Sequence, residues 1–217
     1  MTQSANDLTK TFLLVYAGLF PIVNPIGGAP IFLGLTRECT ETERNSLALR
    51  VALNSFLLLL GSLFVGSYVL EFFGITLPIV RVAGGLVVAV TGWQLLQAGY
   101  EQEEREGHRP VIPTDGFYPL TMPITVGPGS IAVAITLGSQ RPRAPLSEVA
   151  LIGGAAVVGL VAITATIYVC YRFAKGTVGA LGARGTNVLV RLSAFILLCI
   201  GIEIIWGGYS ALIRGPG

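Results

Sequence analysis

Charge is what this sequence has least of. Asp, Glu, Lys and Arg together make up 12% of its 217 residues, about half of the roughly 25% usual in a soluble domain. The charges cluster and leave runs with none: between Lys10 and Arg37, Arg50 and Glu71, Arg81 and Glu101, Asp115 and Arg141, and Glu148 and Arg172. A sixth run, Arg191 to Arg214, holds a single charge, Glu203. Histidine is nearly absent as well. The one His108 lies in the polar stretch EQEEREGHRP (101–110), so no imidazole stands inside an apolar run for acid–base work. Three cysteines, Cys39, Cys170 and Cys199, are an odd number without CxxC spacing, which argues against a disulfide framework and against a zinc site. A net charge of +2 carries no nucleic-acid footprint. No nucleotide-binding motif is present, so any work the chain does draws on a gradient or a partner.

What the chain has instead is apolar length. Hydrophobic residues are 53% of it and the mean hydropathy is +0.73. Each low-charge run supplies about the 20 residues a helix needs to cross a bilayer core. The segments 53–70 and 151–169 are apolar or small all the way round, whereas a soluble helix keeps a polar face. The period-two alternation of a membrane barrel is absent. These features predict an all-α membrane protein, one transmembrane domain over 1–217. Its six spans are Thr11–Thr36, Val51–Leu70, Val82–Gly99, Gly116–Leu137, Val149–Tyr171 and Leu192–Ile213. The apolar run after Lys10 continues through Pro25 to Leu35 without a convincing cleavage site, and reads as the first span rather than a signal peptide.

With six spans both termini share one side. That side and loops 2–3 and 4–5 carry five basic residues, against nine in loops 1–2, 3–4 and 5–6. The positive-inside rule puts the nine in the cytoplasm and both termini outside.

The two halves echo each other. Span 1 contains PIVNPIGGAPIF (21–32) and span 4 contains PITVGPGSIAVA (123–134); span 3 begins IVRVAGGLVVAV (79–90) and span 6 begins LVRLSAFILLCI (189–200). The unit is three spans used twice, 8–99 and 116–214, joined by a polar cytoplasmic loop at 100–115. Three is odd, so the second copy enters the membrane from the opposite face, an inverted repeat as in many secondary transporters.

The matching clusters also interrupt their helices. Pro25 and Pro30 lack an N–H and clash with the preceding turn, and Gly27 and Gly28 ease non-helical dihedrals. Gly127, Pro128, Gly129 and Ser130 do the same in span 4. Backbone groups freed in hydrocarbon are tolerated only when buried in protein or facing a cavity, so two breaks at corresponding places point to one shared cavity. A half-helix beginning there offers N–H groups and partial positive charge to an anion. A half-helix ending there offers carbonyls to an ammonium group or cation. A small zwitterion matches both, with Asn24, Thr125 and Ser130 adding neutral hydrogen-bonding side chains. The candidate binding residues are therefore Asn24, Pro25, Gly27, Gly28, Thr125, Gly127, Pro128, Gly129 and Ser130. Glu203, the one acid inside a span, is a candidate for proton or ion coupling, with Asn54 and Thr91 as polar candidates beside it, each of which would also serve as interhelical glue. Arg81 and Arg191 read as interface residues at span starts, and Trp93 and Trp206, with Tyr100 and Tyr209, as interface anchors.

The motifs NPIGGAPIFLGLT (24–36), RVAGGLVVAVTGWQLL (81–96), PLTMPITVGPGSIA (119–132) and RLSAFILLCIGIEIIWGG (191–208) resemble the MarC family, also called MarC/SnatA or UPF0056, over nearly the whole chain. That resemblance implies an inner-membrane protein whose broken helices 1 and 4 form a site for glycine- or alanine-like substrates. The reading that results is a secondary transporter of small neutral amino acids, with a channel or an exporter of another small solute as the alternative. Polar residues gathered at two breaks favour an occluded site over a continuous pore. An enzyme is disfavoured, because Ser130 has no membrane His or Lys to activate it. No metal or cofactor is called for, and the residues do not name a coupling ion or an oligomeric state.

Overall fold

The computed structural model describes residues 2–98, 116–139 and 146–214. The connector at 100–115, with His108 and Tyr100, lies outside the described residues. So do Arg141 and Arg143.

Seven helices account for most of the described chain: α1 Thr2–Val23, α2 Pro25–Leu35, α3 Glu41–Phe72, α4 Leu77–Ala98, α5 Pro128–Ser139, α6 Leu146–Arg172 and α7 Ala174–Arg214. A wide coil, Gly116–Thr125, precedes α5. Four stretches are long and apolar enough to cross a membrane unaided: Glu41–Phe72, Leu77–Gln97, Val149–Arg172 and Arg184–Ile213. Two bent pairs complete the set, α1 with α2 at 42° and the coil with α5 at 71°. The chain is an all-α membrane protein, of six spans when each bent pair counts as one.

The helices outrun the charge-free windows that predicted them. α3 starts at Glu41 rather than Val51 because Thr40 and Glu43 close a capping box: the Glu43 N–H donates to Thr40 Oγ1 at 3.3 Å, and the Thr40 N–H donates to Glu43 Oε2 at 2.8 Å. Such a cap adds about 1 kcal/mol and lets the helix begin among charges at the membrane surface. α7 begins well before Leu192 and turns at Gly182, whose φ of 65° and ψ of 174° suit glycine alone.

Packing runs between the two halves of the chain far more than within them. α4 lies along α7, α3 against α6 and α5, and α1 against α6 and α5. Glycine sets the closest of these approaches. A Cβ on Gly85 would lie 2.8 Å from the Gly201 carbonyl oxygen, and one on Gly208 2.8 Å from the Pro78 carbonyl oxygen. With lipid as solvent, such close backbone packing supplies association that hydrophobic burial cannot. The pairing of Gly85 with Gly201 and of Pro78 with Gly208 also shows that α4 and α7 run antiparallel.

Candidate functional site

The first break is a single residue. Asn24 takes the left-handed conformation (φ 47°, ψ 57°), and helix resumes at once with Pro25 as its first residue. Pro25 is tolerated there because its missing N–H would be unpaired anyway. Pro30, expected to extend the break, sits inside α2. The left-handed region is costly for most residues, but Asn enters it readily because its side chain bonds locally. Here Asn24 Oδ1 accepts the Gly27 N–H at 3.1 Å, and the Asn24 carbonyl accepts the Gly28 N–H at 2.9 Å. The expectation of free amides at this helix start is thus corrected: the break caps itself.

The second break is broader and earlier than the GPGS cluster. It is a tandem of two tetrapeptides, Tyr118-Pro119-Leu120-Thr121 and Met122-Pro123-Ile124-Thr125, with both X–Pro bonds cis. Tyr118 (φ −117°, ψ 131°) and Met122 (φ −114°, ψ 123°) are extended, as a residue before proline prefers. Each threonine replaces a lost helical bond. Thr121 Oγ1 donates to the Gly116 carbonyl at 2.6 Å and Thr125 Oγ1 to the Leu120 carbonyl at 2.7 Å. Pro128, Gly129 and Ser130, expected to lie in the break, form the first turn of α5. Among the described residues no protein acceptor meets the N–H of Gly129 or Ser130. The first amide of α5 to find one is that of Ile131, on the Gly127 carbonyl at 3.2 Å.

The two breaks border one cavity of about 110 Å³. From the candidate set Asn24, Gly27, Gly28, Thr91, Thr125, Gly127, Pro128, Gly129 and Ser130 line it, joined by the apolar side chains of Ile22, Val88 and Leu197. Pro25 is buried beside the cavity without lining it. Two further candidates lie elsewhere. Asn54 is half-buried on α3, and Glu203 is exposed on the outer face of α7, where an acid at membrane depth costs about 3 kcal/mol on insertion scales. Thr91 lines the cavity but donates to its own helix, at the Val87 carbonyl 2.8 Å away. Arg81 is half-buried, its Nε 3.5 Å from Thr136 Oγ1, while Arg191 is exposed.

The glycines make room for protein rather than for open space. A Cβ on Gly129 would strike the Val88 side chain, and one on Gly28 would come within 2.7 Å of the Tyr171 hydroxyl. Tyr171 is the residue that sequence reasoning missed. It is 1% exposed, stacks on Phe32 at 4.6 Å and hydrogen-bonds Thr125 Oγ1 at 2.9 Å. The Thr125 proton is engaged by the Leu120 carbonyl, so Tyr171 is the donor. One side chain on α6 therefore joins the coil of the second break to α2, the helix that follows the first. Its position at the end of an apolar run, next to Arg172, reads as an interface anchor, and only the fold reveals the burial. Arg44 was equally hidden in a charged run. It is buried and donates to the Thr36 and Cys39 carbonyls at 2.9 and 3.0 Å, placing a cation at the negative end of α2.

Electrostatically the cavity has dipoles and no ions. None of its lining residues is titratable. The Asn24 N–H is the last to reach back into α1, to the Phe20 carbonyl at 2.9 Å, leaving the Pro21, Ile22 and Val23 carbonyls without backbone donors. Partial negative charge from the end of α1 thus faces the same space as partial positive charge from the start of α5. Among the described residues no group of three His, Cys, Asp or Glu could hold a metal ion.

Comparison with known proteins agrees with this architecture. The chain is 30% identical over 216 residues to the UPF0056 inner membrane protein MarC of Salmonella arizonae, covering 96% of this chain and 98% of that one. It is 29% identical over 218 residues to the protein of the same name from Escherichia coli O1:K1 / APEC, with the same coverage. No solved structure matches the chain. The family model described as MarC family integral membrane protein matches residues 9–213. The chain belongs to the MarC family of integral membrane proteins.

Proposed function

We propose that this protein is a secondary transporter of small neutral amino acids, glycine- or alanine-like, that binds its substrate between the two broken helices. The observation that carries the reading is the pairing of uncapped amides at Gly129 and Ser130 with the unpaired carbonyls of Ile22 and Val23 around one cavity that no charged side chain lines. A carboxylate suits the amides and an ammonium group suits the carbonyls. A substrate of fixed net charge would find no counter-ion there. The volume of about 110 Å³ is well below the roughly 300–1,000 Å³ of drug-sized sites, which favours a solute of a few heavy atoms.

The packing supports an inverted repeat as the frame for alternating access. Under that symmetry α3 against α5 corresponds to α6 against α2, and α4 against α5 corresponds to α7 against α2; all four contacts are present. Tilting one half against the other would then open the cavity to either face in turn. The names of the relatives extend to this chain an inner-membrane location, and the charge bias places both termini outside. Transport is favoured over catalysis because Ser130, the lone nucleophile type in the lining besides threonine, has no titratable neighbour in it.

Purified protein in liposomes should accumulate or exchange labelled glycine or alanine, saturably, under a proton or sodium gradient. Absence of uptake and exchange for both amino acids under both gradients would sink the substrate claim. Flux that never saturates would favour the channel reading.

A further inference from the structure

Arg44 is a buried cation without an anion. It is 8% exposed, and its guanidinium donates to Thr36 Oγ1 and to the Thr36 and Cys39 carbonyls, all neutral acceptors. Among the described residues no carboxylate lies within ion-pair distance of it. The end of α2 offers it partial negative charge, where a buried ion ordinarily calls for a full counter-ion. Arg44 forms one wall of a basin of about 520 Å³, where the start of α3 meets the end of α6 and the start of α7. Glu41, Asn45, Arg172, Phe173 and Lys175 line it too. Three cations thus face one acid, and that acid is already taken: Lys175 Nζ lies 2.9 Å from Glu41 Oε1. The basin shares no lining residue with the central cavity.

The surroundings of the basin are those of a membrane surface. Arg172 is the last residue of the apolar stretch Val149–Arg172. Exposed apolar side chains lead away from the basin on both long helices. On α3, Leu49 and Leu53 follow Asn45 at steps of four, and on α6, Val169 lies four before Phe173; all four of these apolar residues are about half exposed. Residues four apart share one face of a helix. A cationic basin that opens on apolar rows is divided as a phospholipid is divided, with phosphate at one end and acyl chains at the other.

We propose that this basin holds the phosphate of an anionic phospholipid, whose acyl chains lie along the exposed rows of α3 and α6. Guanidinium groups match phosphate oxygens in charge and in geometry, and basic pockets between membrane helices suit such headgroups. The headgroup must carry a net negative charge. The ammonium of a choline headgroup would meet the excess positive charge of Arg44 and Arg172, whereas a glycerol headgroup leaves the phosphate free to answer it. A free phosphate ion would satisfy the cations but would leave the apolar rows without a partner. The site lies on the side of the protein that holds loops 1–2 and 5–6, where basic residues are in excess.

The test is lipid binding by the full-length protein in detergent, with bound lipid counted by native mass spectrometry. Phosphatidylglycerol should be retained in preference to phosphatidylcholine. Arg172→Ala with Lys175→Ala, both exposed side chains, should weaken phosphatidylglycerol binding about tenfold or more. Removing the same charge elsewhere on α7, by Arg184→Ala with Arg191→Ala, should change it by no more than about twofold. Glu41→Gln should tighten binding, because it removes the acid and frees Lys175. A pair that served only to hold α3 against the start of α7 would give the opposite result, since breaking it from either side would then weaken the site. Equal retention of the two lipids, equal losses in the two double variants, or weaker binding in Glu41→Gln would each overturn the proposal. Inorganic phosphate is the remaining arm, set against chloride at equal ionic strength. Phosphate that raises the unfolding temperature as much as phosphatidylglycerol does would overturn the lipid as occupant.

Discussion

The two helix breaks border one cavity and solve the same problem in opposite ways. At Asn24 one residue does everything: it turns the chain by 42°, takes the left-handed conformation and caps the helix it starts. At 116–127 the chain needs a ten-residue coil with two prolines, turns by 71°, and starts α5 with nothing on its first amides. A freed backbone group in a membrane costs several kcal/mol unless something satisfies it. At the first break Asn24 takes two amides itself, the Gly27 N–H on its side chain and the Gly28 N–H on its carbonyl. The second leaves two, those of Gly129 and Ser130, without a protein acceptor among the described residues. The difference teaches that two breaks around one cavity need not share a role: the first leaves carbonyls without backbone donors, and the second leaves amides without protein acceptors, the half to which the proposed function assigns the carboxylate.

The sharpest way to break that contrast is to remove an amide from α5. Proline is tolerated in a first helical turn, where the N–H has no helical partner. Ser130→Pro should leave α5 in place and delete both the hydroxyl and the N–H, while Ser130→Ala deletes the hydroxyl alone. A hydrogen bond to a charged group is worth about 1.5–3 kcal/mol. We therefore expect the apparent affinity for glycine to fall about 10–100-fold further in Ser130→Pro than in Ser130→Ala, measured as KM in liposomes. Equal values for the two variants would mean that the open amides bind nothing.

The complementary change is at Asn24. Asn24→Gly keeps access to the left-handed region but loses the cap, a change of a few tenths of a kcal/mol. Asn24→Ala loses both, and should cost about 1–2 kcal/mol more. Thermal unfolding in detergent should rank wild type, Gly and Ala in that order, with a KM for Asn24→Gly within about threefold of wild type, since the loss of a few tenths touches stability and not the ligand. A loss of affinity in Asn24→Gly as large as that of Ser130→Pro would show the breaks to be equivalent after all.

Much of this was legible in the sequence, because the membrane simplifies the reading. Runs with little or no charge located the four long apolar helices and the two bent pairs, since hydrocarbon punishes charge. The pairing of NPIGG with VGPGS located the cavity, since both clusters break helices by local sterics. What was not legible depended on contacts across the chain. Pro30 stays helical within α2, and the second break begins at Tyr118 rather than Gly127, where threonine hydroxyls replace lost bonds, which composition does not show. The exposure of Glu203 is a matter of helix rotation, and α7 is apolar on both faces. Tyr171 and Arg44 stood in charged or interfacial surroundings, and only the fold carries them inward.

Tyr171 provides the finest test of the contrast, because it joins the coil of the second break to α2, the helix that follows the first. Its hydroxyl donates to Thr125 on the coil and lies against Gly28 on α2, while its ring stacks on Phe32. Tyr171→Phe keeps the stack and removes the donor. Thr125 loses one of two bonds and retains the one to the Leu120 carbonyl, so no buried donor is stranded, and the loss should be near the usual 0.5–1.5 kcal/mol for a hydrogen bond. If the coil is held mainly by its own threonines, KM should move by no more than about threefold and unfolding should shift only by the lost bond. If the coil instead depends on α6 for its shape, the open amides of α5 will move with it, and Tyr171→Phe will resemble Ser130→Pro. That outcome would make the second break, like the first, a structure braced by a single side chain, with the brace supplied from another helix rather than from within.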